Sequence, residues 1–252
     1  MSLGLLGLAA PAAHAANPVP YPAALAGHPF ATEWSLSTMA GSTWTPTNNP
    51  GNCPANPGAV SLQPGFVQIN ANGVSGNCAA IESPHTYPTV NGYVYEAKID
   101  ASTDANWSAD WAYGDNWPNH GEIDATEFND EVNYVSWHQA GTNGCTQDEW
   151  STNPWTYNCK SNLTPVAGVA NFAPHQWVIV DYAFTSTGVD VYYNGKLYAH
   201  VPESVTQDGS SPMWLTFGTG SCHSNNNGDT CAVPSDATVA GNFSIAYFRA
   251  FT

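Results

Sequence analysis

The stretch Trp117-Pro118-Asn119-His120-Gly121-Glu122-Ile123-Asp124-Ala125-Thr126-Glu127-Phe128 decides how the rest of the chain is read. It places three carboxylates, Glu122, Asp124 and Glu127, close together in a chain where only 10% of residues are charged. Along a regular strand side chains alternate between faces, so Glu122 and Asp124 share a face and Glu127 falls on the other. A β-bulge at Ala125-Thr126 adds one residue and returns Glu127 to the side of its neighbours. On a helix, at about 100° per residue, the same spacings scatter the three around the axis. A bulged strand with three carboxylates on one wall is the expected conformation.

Crowded carboxylates raise one another's pKa, so one stays protonated beside an ionised neighbour. A glycosidase needs that arrangement: an acid for the leaving oxygen and a carboxylate for the anomeric carbon. In retaining enzymes the two carboxyls lie roughly 5–5.5 Å apart, a gap that bulged same-face neighbours can meet. An acidic solvent-facing strand or a calcium site uses the same residue types, and a bare E-x-D-x-x-E does not separate these readings. The flanks do. The segment resembles the active-site strand of glycoside hydrolase family 16, whose bulged members carry W-P-x-x-G-E-I-D-x-x-E; every fixed position is present from Trp117 to Glu127. The resemblance implies Glu122 as nucleophile, Glu127 as general acid/base and Asp124 as the helper between them. It implies the branch holding laminarinases, agarases and carrageenases, not the lichenase branch with its shorter E-x-D-x-E.

Outward from this strand the likeness continues. Trp107 and Trp111 stand where the family has W-P-A-x-W, with Ser108 in place of Pro. Val132 to His138 reads as the following strand, and His138 matches a family histidine. Ile81-Glu82-Ser83 and Gly92 to Asp100 resemble the I-x-S and G-Y-x-E-A-x-I segments upstream, with Glu96 read as a solvent-facing or structural carboxylate. Downstream, Pro212 to Gly218 resembles P-M-x-L-x-L-N but ends in Gly, and Phe243 to Phe251 resembles the closing strand with Ala246 at its Asp position. Trp107, Trp111 and Trp117, with His138 and Trp214, are the implied sugar contacts, while Trp137 is expected in the core. His120, Glu122, Asp124 and His138 are residue types that bind metals, but neither an EF-hand loop nor H-E-x-x-H occurs, so no metal and no cofactor is expected.

Strand signals recur along the chain. Glu33 to Leu36, Phe66 to Asn70, Gln176 to Thr185, Val189 to Tyr193 and Lys196 to His200 have β-rich or alternating composition, and Asn194-Gly195 marks a tight hairpin. Residues 141–174 lack a period and read as a long loop. Many short strands divided by turns imply an all-β sandwich; the resemblance specifies two antiparallel sheets in a jelly roll, concanavalin A-like, with a cleft on one face.

Composition bounds the partners. The 252 residues carry a net charge of −16, with Lys98, Lys160, Lys196 and Arg249 as the strong cations. Nucleic acid and anionic membrane are poor partners for such a chain, whereas 10 Trp and 12 Tyr suit stacking on sugar rings. Leu3 to Ala10 is apolar and Ala13-His14-Ala15 has a small-x-small cleavage form, so residues 1–16 read as a secretion signal and 17–252 as one catalytic domain. No later run approaches the roughly 18 apolar residues of a membrane helix. Cys53, Cys78, Cys145, Cys159, Cys222 and Cys231 form three sequence-near pairs, expected as local disulfides in an oxidising compartment.

The expected protein is a secreted monomer, a retaining endo-glycosidase acting on a neutral β-linked polysaccharide. β-1,3- or mixed β-1,3/1,4-glucan is the first choice and neutral galactan the second. Twelve of the twenty acidic residues lie between Glu96 and Glu149, which the sequence places around the cleft and which disfavours a sulfated polymer. Transglycosylation uses the same intermediate. A lectin-like sandwich would tolerate loss of the acids, and a structural cell-wall protein has no reason to carry all three.

Overall fold

The computed structural model describes residues 30–34, 36, 45–47, 57–70, 78–101, 106–115, 120–129, 132–138, 149–151, 176–202, 212–221 and 242–252. Residues 1–16, read above as a secretion signal, Trp117, and every cysteine but Cys78 lie outside them. Fifteen strands are described: β1 Phe30–Trp34, β2 Thr45–Thr47, β3 Val60–Gln63, β4 Phe66–Asn70, β5 Cys78–Glu82, β6 Val94–Ala101, β7 Asn106–Gly114, β8 Glu122–Asn129, β9 Val132–His138, β10 Glu149–Ser151, β11 Val178–Thr185, β12 Gly188–Tyr193, β13 Lys196–Pro202, β14 Met213–Ser221 and β15 Asn242–Phe251. Pro57–Ala59 forms a 3-10 turn before β3. Among the described residues no helix is long and apolar enough to cross a membrane.

The strands form two antiparallel sheets. One runs β13-β12-β11-β6-β15-β4-β3, with β1 paired to the end of β15; the other runs β10-β9-β8-β7-β14-β5-β2. Chain-distant strands sit side by side, as β6 beside β15 and β7 beside β14. This is the expected jelly-roll β-sandwich. Local chemistry explains the turns. Asn194 and Gly195 have φ of 49° and 77°, the left-handed pair that a two-residue hairpin with matching twist requires.

The core lies between the sheets. From the eight-stranded sheet come Tyr95, Ala97, Ile99, Val180, Tyr182, Phe243 and Phe248; from the other come Ile81, Ile123, Trp137, Leu215 and Phe217, all in one buried cluster. Each fully buried aromatic or aliphatic side chain contributes about 1.5–3 kcal/mol. Trp137 is fully buried, as expected of a core residue.

Two expectations change and one alternative is decided. The 141–174 segment is not loop throughout: Glu149–Ser151 pairs with Ser136–His138. Three residues are too few to show a period. Of the two readings of Glu96, solvent-facing or structural, the structural one holds: it is 2% exposed, paired in register with Arg249 and Asp181 and 3.6 Å from the Arg249 guanidinium. Burial pushes Glu96 upward in pKa and lifts Asp181 to about 9, with Glu96 as its second cause. The twelve acids are also not all at the cleft. Glu96 and Asp100 belong to the eight-stranded sheet. Asp110 is fully buried and points away from the face of Trp111, its neighbour on β7, because adjacent strand residues alternate.

Candidate active site

Cross-strand partners share a face of the sheet, so the register of the seven-stranded sheet fixes what stands together. Glu122 pairs with Tyr113, which pairs with Trp214. Asp124 pairs with Trp111, Trp111 with Thr216, and Thr216 with Glu82. Glu127 pairs with Ala109, Ala109 with Gly218, and Gly218 with Ala80. These three rows form the outer face of the sheet, opposite the core side that holds Ile123, Ala112 and Leu215.

Glu127 reaches this face through an irregularity in β8. Against β7 the register steps from Trp111 opposite Asp124 to Asp110 opposite Thr126, leaving Ala125 as the extra residue. Against β9 it shifts between Asp124 and Glu127. The bulge therefore lies where the spacing of the carboxylates requires it. Ala125 and Thr126 are both fully buried, whereas Glu122 and Glu127 are half-buried and Asp124 is 4% exposed. Asp124 is thus enclosed between two carboxylates that solvent still reaches.

The expected sugar contacts are placed unequally. Trp214 is half-buried and stands in the Glu122 row. Trp111 lies on the carboxylate face but is 2% exposed, packed with Ala80 and Ala109. It forms floor beneath the face and offers no open ring for stacking. A Cβ at Gly218 would come within 3.1 Å of the Trp111 ring; glycine at the position where the family pattern has Asn gives that indole its seat. His138 is the register partner of Glu122. Trp107 is the partner of Gly220, so both backbones border the site. The side chains of His138 and Trp107, and all of Trp117, lie outside the described residues.

Two polar features escaped sequence reasoning. The Tyr113 hydroxyl donates to Glu82 Oε2, and burial raises the Glu82 pKa while this bond opposes the rise. A fourth carboxylate therefore stands on the same face, three strands from Asp124. Glu82 had a signal, since it lies in the I-x-S segment, but nothing local joins it to Tyr113. On the core side, burial and then the charge of Asp124 hold the Asp110 pKa well above the usual carboxylate range. Among the described residues no group of His, Cys, Asp and Glu is arranged to hold a metal.

No family model matches the chain, and no curated protein matches it. Solved structures do. A laminarinase from Flavobacterium sp. UMI-01 is similar with a TM-score of 0.65 at 17% identity, covering 88% of this chain and 100% of that one. An endo-beta-1,3(4)-glucanase from glycoside hydrolase family 16 is similar with a TM-score of 0.63 at 15% identity, covering 90% and 95%. A third structure, from work on endo-acting O-glycanases of the human gut microbiota that initiate mucin breakdown, has a TM-score of 0.59 at 19% identity, covering 77% and 83%. At these identities the likeness is one of fold.

Proposed function

We propose that this chain is a glycoside hydrolase of family 16 and a retaining endo-hydrolase of a neutral β-linked polysaccharide, with β-1,3- or mixed β-1,3/1,4-glucan as first substrate. The observation that carries the reading is the bulge in β8, which sets Glu122, Asp124 and Glu127 on one face of the seven-stranded sheet. The laminarinase-like fold and the complete W-P-x-x-G-E-I-D-x-x-E pattern support it. So does charge: among the seven strands of that sheet none contains Lys or Arg. Recognition of sulfate ordinarily uses such donors. The apolar run Leu3 to Ala10 with Ala13-His14-Ala15 supports secretion.

In the proposed reaction a Glu122 carboxylate oxygen bonds to the anomeric carbon as the glycosidic C–O bond breaks. The Glu127 carboxyl gives its proton to the leaving oxygen. Glu127, now ionised, takes a proton from water, whose oxygen bonds to the anomeric carbon and releases Glu122. Four strand steps of about 3.3 Å separate Glu122 from Glu127 once the bulge is discounted. A carboxyl gap of roughly 5–5.5 Å then needs both side chains to lean inward over Asp124. Asp124, enclosed between them, orients the nucleophile and raises the cost of a second negative charge on Glu127.

The test is cleavage of laminarin and mixed-linkage glucan beside carrageenan, with product anomers read by NMR. Glu122→Gln is expected to abolish turnover on every substrate, and Glu127→Ala to keep more activity on aryl glycosides, whose good leaving groups need little protonation. Inverted product, equal loss in both variants, or cleavage of carrageenan alone overturns the reading.

A further inference from the structure

The bulge that brings Glu127 to the face of Glu122 has a fixed support on its buried side. A bulged residue is left out of the regular ladder, and a buried carbonyl without a partner is costly. Ala125, the extra residue, has its carbonyl met by the Tyr193 hydroxyl at 2.8 Å, in a buried bond that crosses from one sheet to the other. Tyr193 ends β12 and is 4% exposed. It is itself held: its ring lies 4.6 Å from that of Tyr198. The turn that follows is tied to β11 by Asn194 N–H donating to the Ile179 carbonyl at 2.8 Å and Ile179 N–H donating to Asn194 Oδ1 at 3.0 Å. The hydroxyl thus hangs from a braced hairpin and meets β8 between Asp124 and Glu127.

We propose that Tyr193 is a positioning residue for the general acid, its hydroxyl anchoring the bulge so that Glu127 is held on the carboxylate face. The inference rests on the proposed role of Glu127. Tyr193 touches no reacting atom; it acts through the Ala125 carbonyl. A loosened bulge moves Glu127 against Glu122, and misplacements of this kind cost catalysis even when the protein stays folded. The loss falls hardest where protonation of the leaving oxygen limits the rate.

The experiment is Tyr193→Phe, which keeps the ring and removes the hydroxyl. The control is Tyr95→Phe, which deletes a different hydroxyl-to-carbonyl bond, from Tyr95 to the Pro88 carbonyl at 2.5 Å, away from β8. In Tyr193→Phe, kcat/KM on the polysaccharide is expected to fall about 10- to 100-fold, with a clearly smaller fall on a dinitrophenyl glycoside of the same sugar. Tyr95→Phe is expected to leave the ratio of the two substrates unchanged. Hydrogen exchange across residues 124–127 rises in Tyr193→Phe and not in the control, a readout that needs no substrate. If Tyr193→Phe does not fold, Tyr198→Leu keeps the hydroxyl and loosens its support, and the same skew appears in smaller measure. An unchanged substrate ratio with unchanged exchange at 124–127 overturns the inference. Equal loss on the polysaccharide and the dinitrophenyl glycoside in Glu127→Ala, with exchange at 124–127 still raised in Tyr193→Phe, overturns the role of Glu127 and leaves the anchoring intact.

Discussion

Gly121, the residue before Glu122, is a sharp test of how the carboxylate strand is set into the sheet. It has φ +76° and its carbonyl accepts the Gly114 N–H at 2.9 Å, closing the approach from β7 to β8. A Cβ there would stand 2.5 Å from Trp137 Cζ2 and 3.0 Å from Cη2. Trp137 is fully buried and lies opposite Ile123, so its ring has no free direction in which to withdraw. The cost of Gly121→Ala has two parts. The left-handed backbone costs about 1–2 kcal/mol for an L-residue, and forcing a methyl against a packed ring costs about 1–3 kcal/mol. Together they take about 2–5 kcal/mol from a domain whose whole stability is of order 5–15 kcal/mol. Gly92 separates the parts: its φ is +101° and a Cβ there meets nothing within 4 Å. Gly92→Ala should therefore show the backbone part alone. Urea unfolding of both variants, followed by tryptophan fluorescence, measures the difference, expected at about 1–3 kcal/mol. Equal destabilisation of the two would refute the claim that Trp137 packs the strand into place.

The remaining predictions concern titration and cross-links. Burial, with Glu96 opposite, lifts the Asp181 carboxyl from 3.8 to about 9, so its neutral form suits the fold. Stability from this group is full below pH 3.8 and declines as pH rises toward 9. Asp181→Asn should flatten that decline in Tm against pH, and an unaltered slope would sink the argument. Cys53–Cys78, Cys145–Cys159 and Cys222–Cys231 are expected as disulfides, each contributing on the order of 2–4 kcal/mol; non-reducing peptide mapping that recovers free thiols or other partners would reject the set.

The parts of the fold legible in the sequence are those governed by local rules. The bulge follows from three carboxylates whose spacing fits one face only with an extra residue, and β8 has it between Asp124 and Glu127. Asn194-Gly195 announces its hairpin through the backbone angles that the turn demands. Val132 to His138 coincides with β9 because β-branched and aromatic residues fill it. What was illegible depends on pairing at a distance. The alternation of β6 sets Glu96 opposite in direction to Tyr95 and Ala97, but no local pattern tells that this side is also buried. β2 is three residues with Pro46 in the middle, a composition that argues against a strand, and it is tolerated because β2 is at an edge of its sheet. The bond from Tyr193 to Ala125 joins residues 68 apart in sequence, and the seating of Trp111 over Gly218 depends on a pairing between strands far apart in the chain.

The two sheets divide the charge of the molecule in a way that bears on substrate. Lys98, Lys196 and Arg249, the described strong cations, lie on β6, β13 and β15 of the eight-stranded sheet. The opposite sheet presents Glu82, Glu122, Asp124 and Glu127 on one face with no Lys or Arg in any of its strands. A sulfate brought within about 4 Å of one such carboxylate meets a repulsion on the order of 4 kcal/mol at an effective dielectric of 20. That is close to a thousandfold in binding for a single contact. A neutral sugar meets no such barrier, and its hydroxyls donate to the carboxylates that repel a sulfate. Moving Glu96, Asp100 and Asp110 away from the cleft reduces the number of acids there but not the sign of its field. With Glu127 protonated as the proposed acid, the charge left on that face is still negative and favours the neutral polymer of the proposed function over a sulfated one.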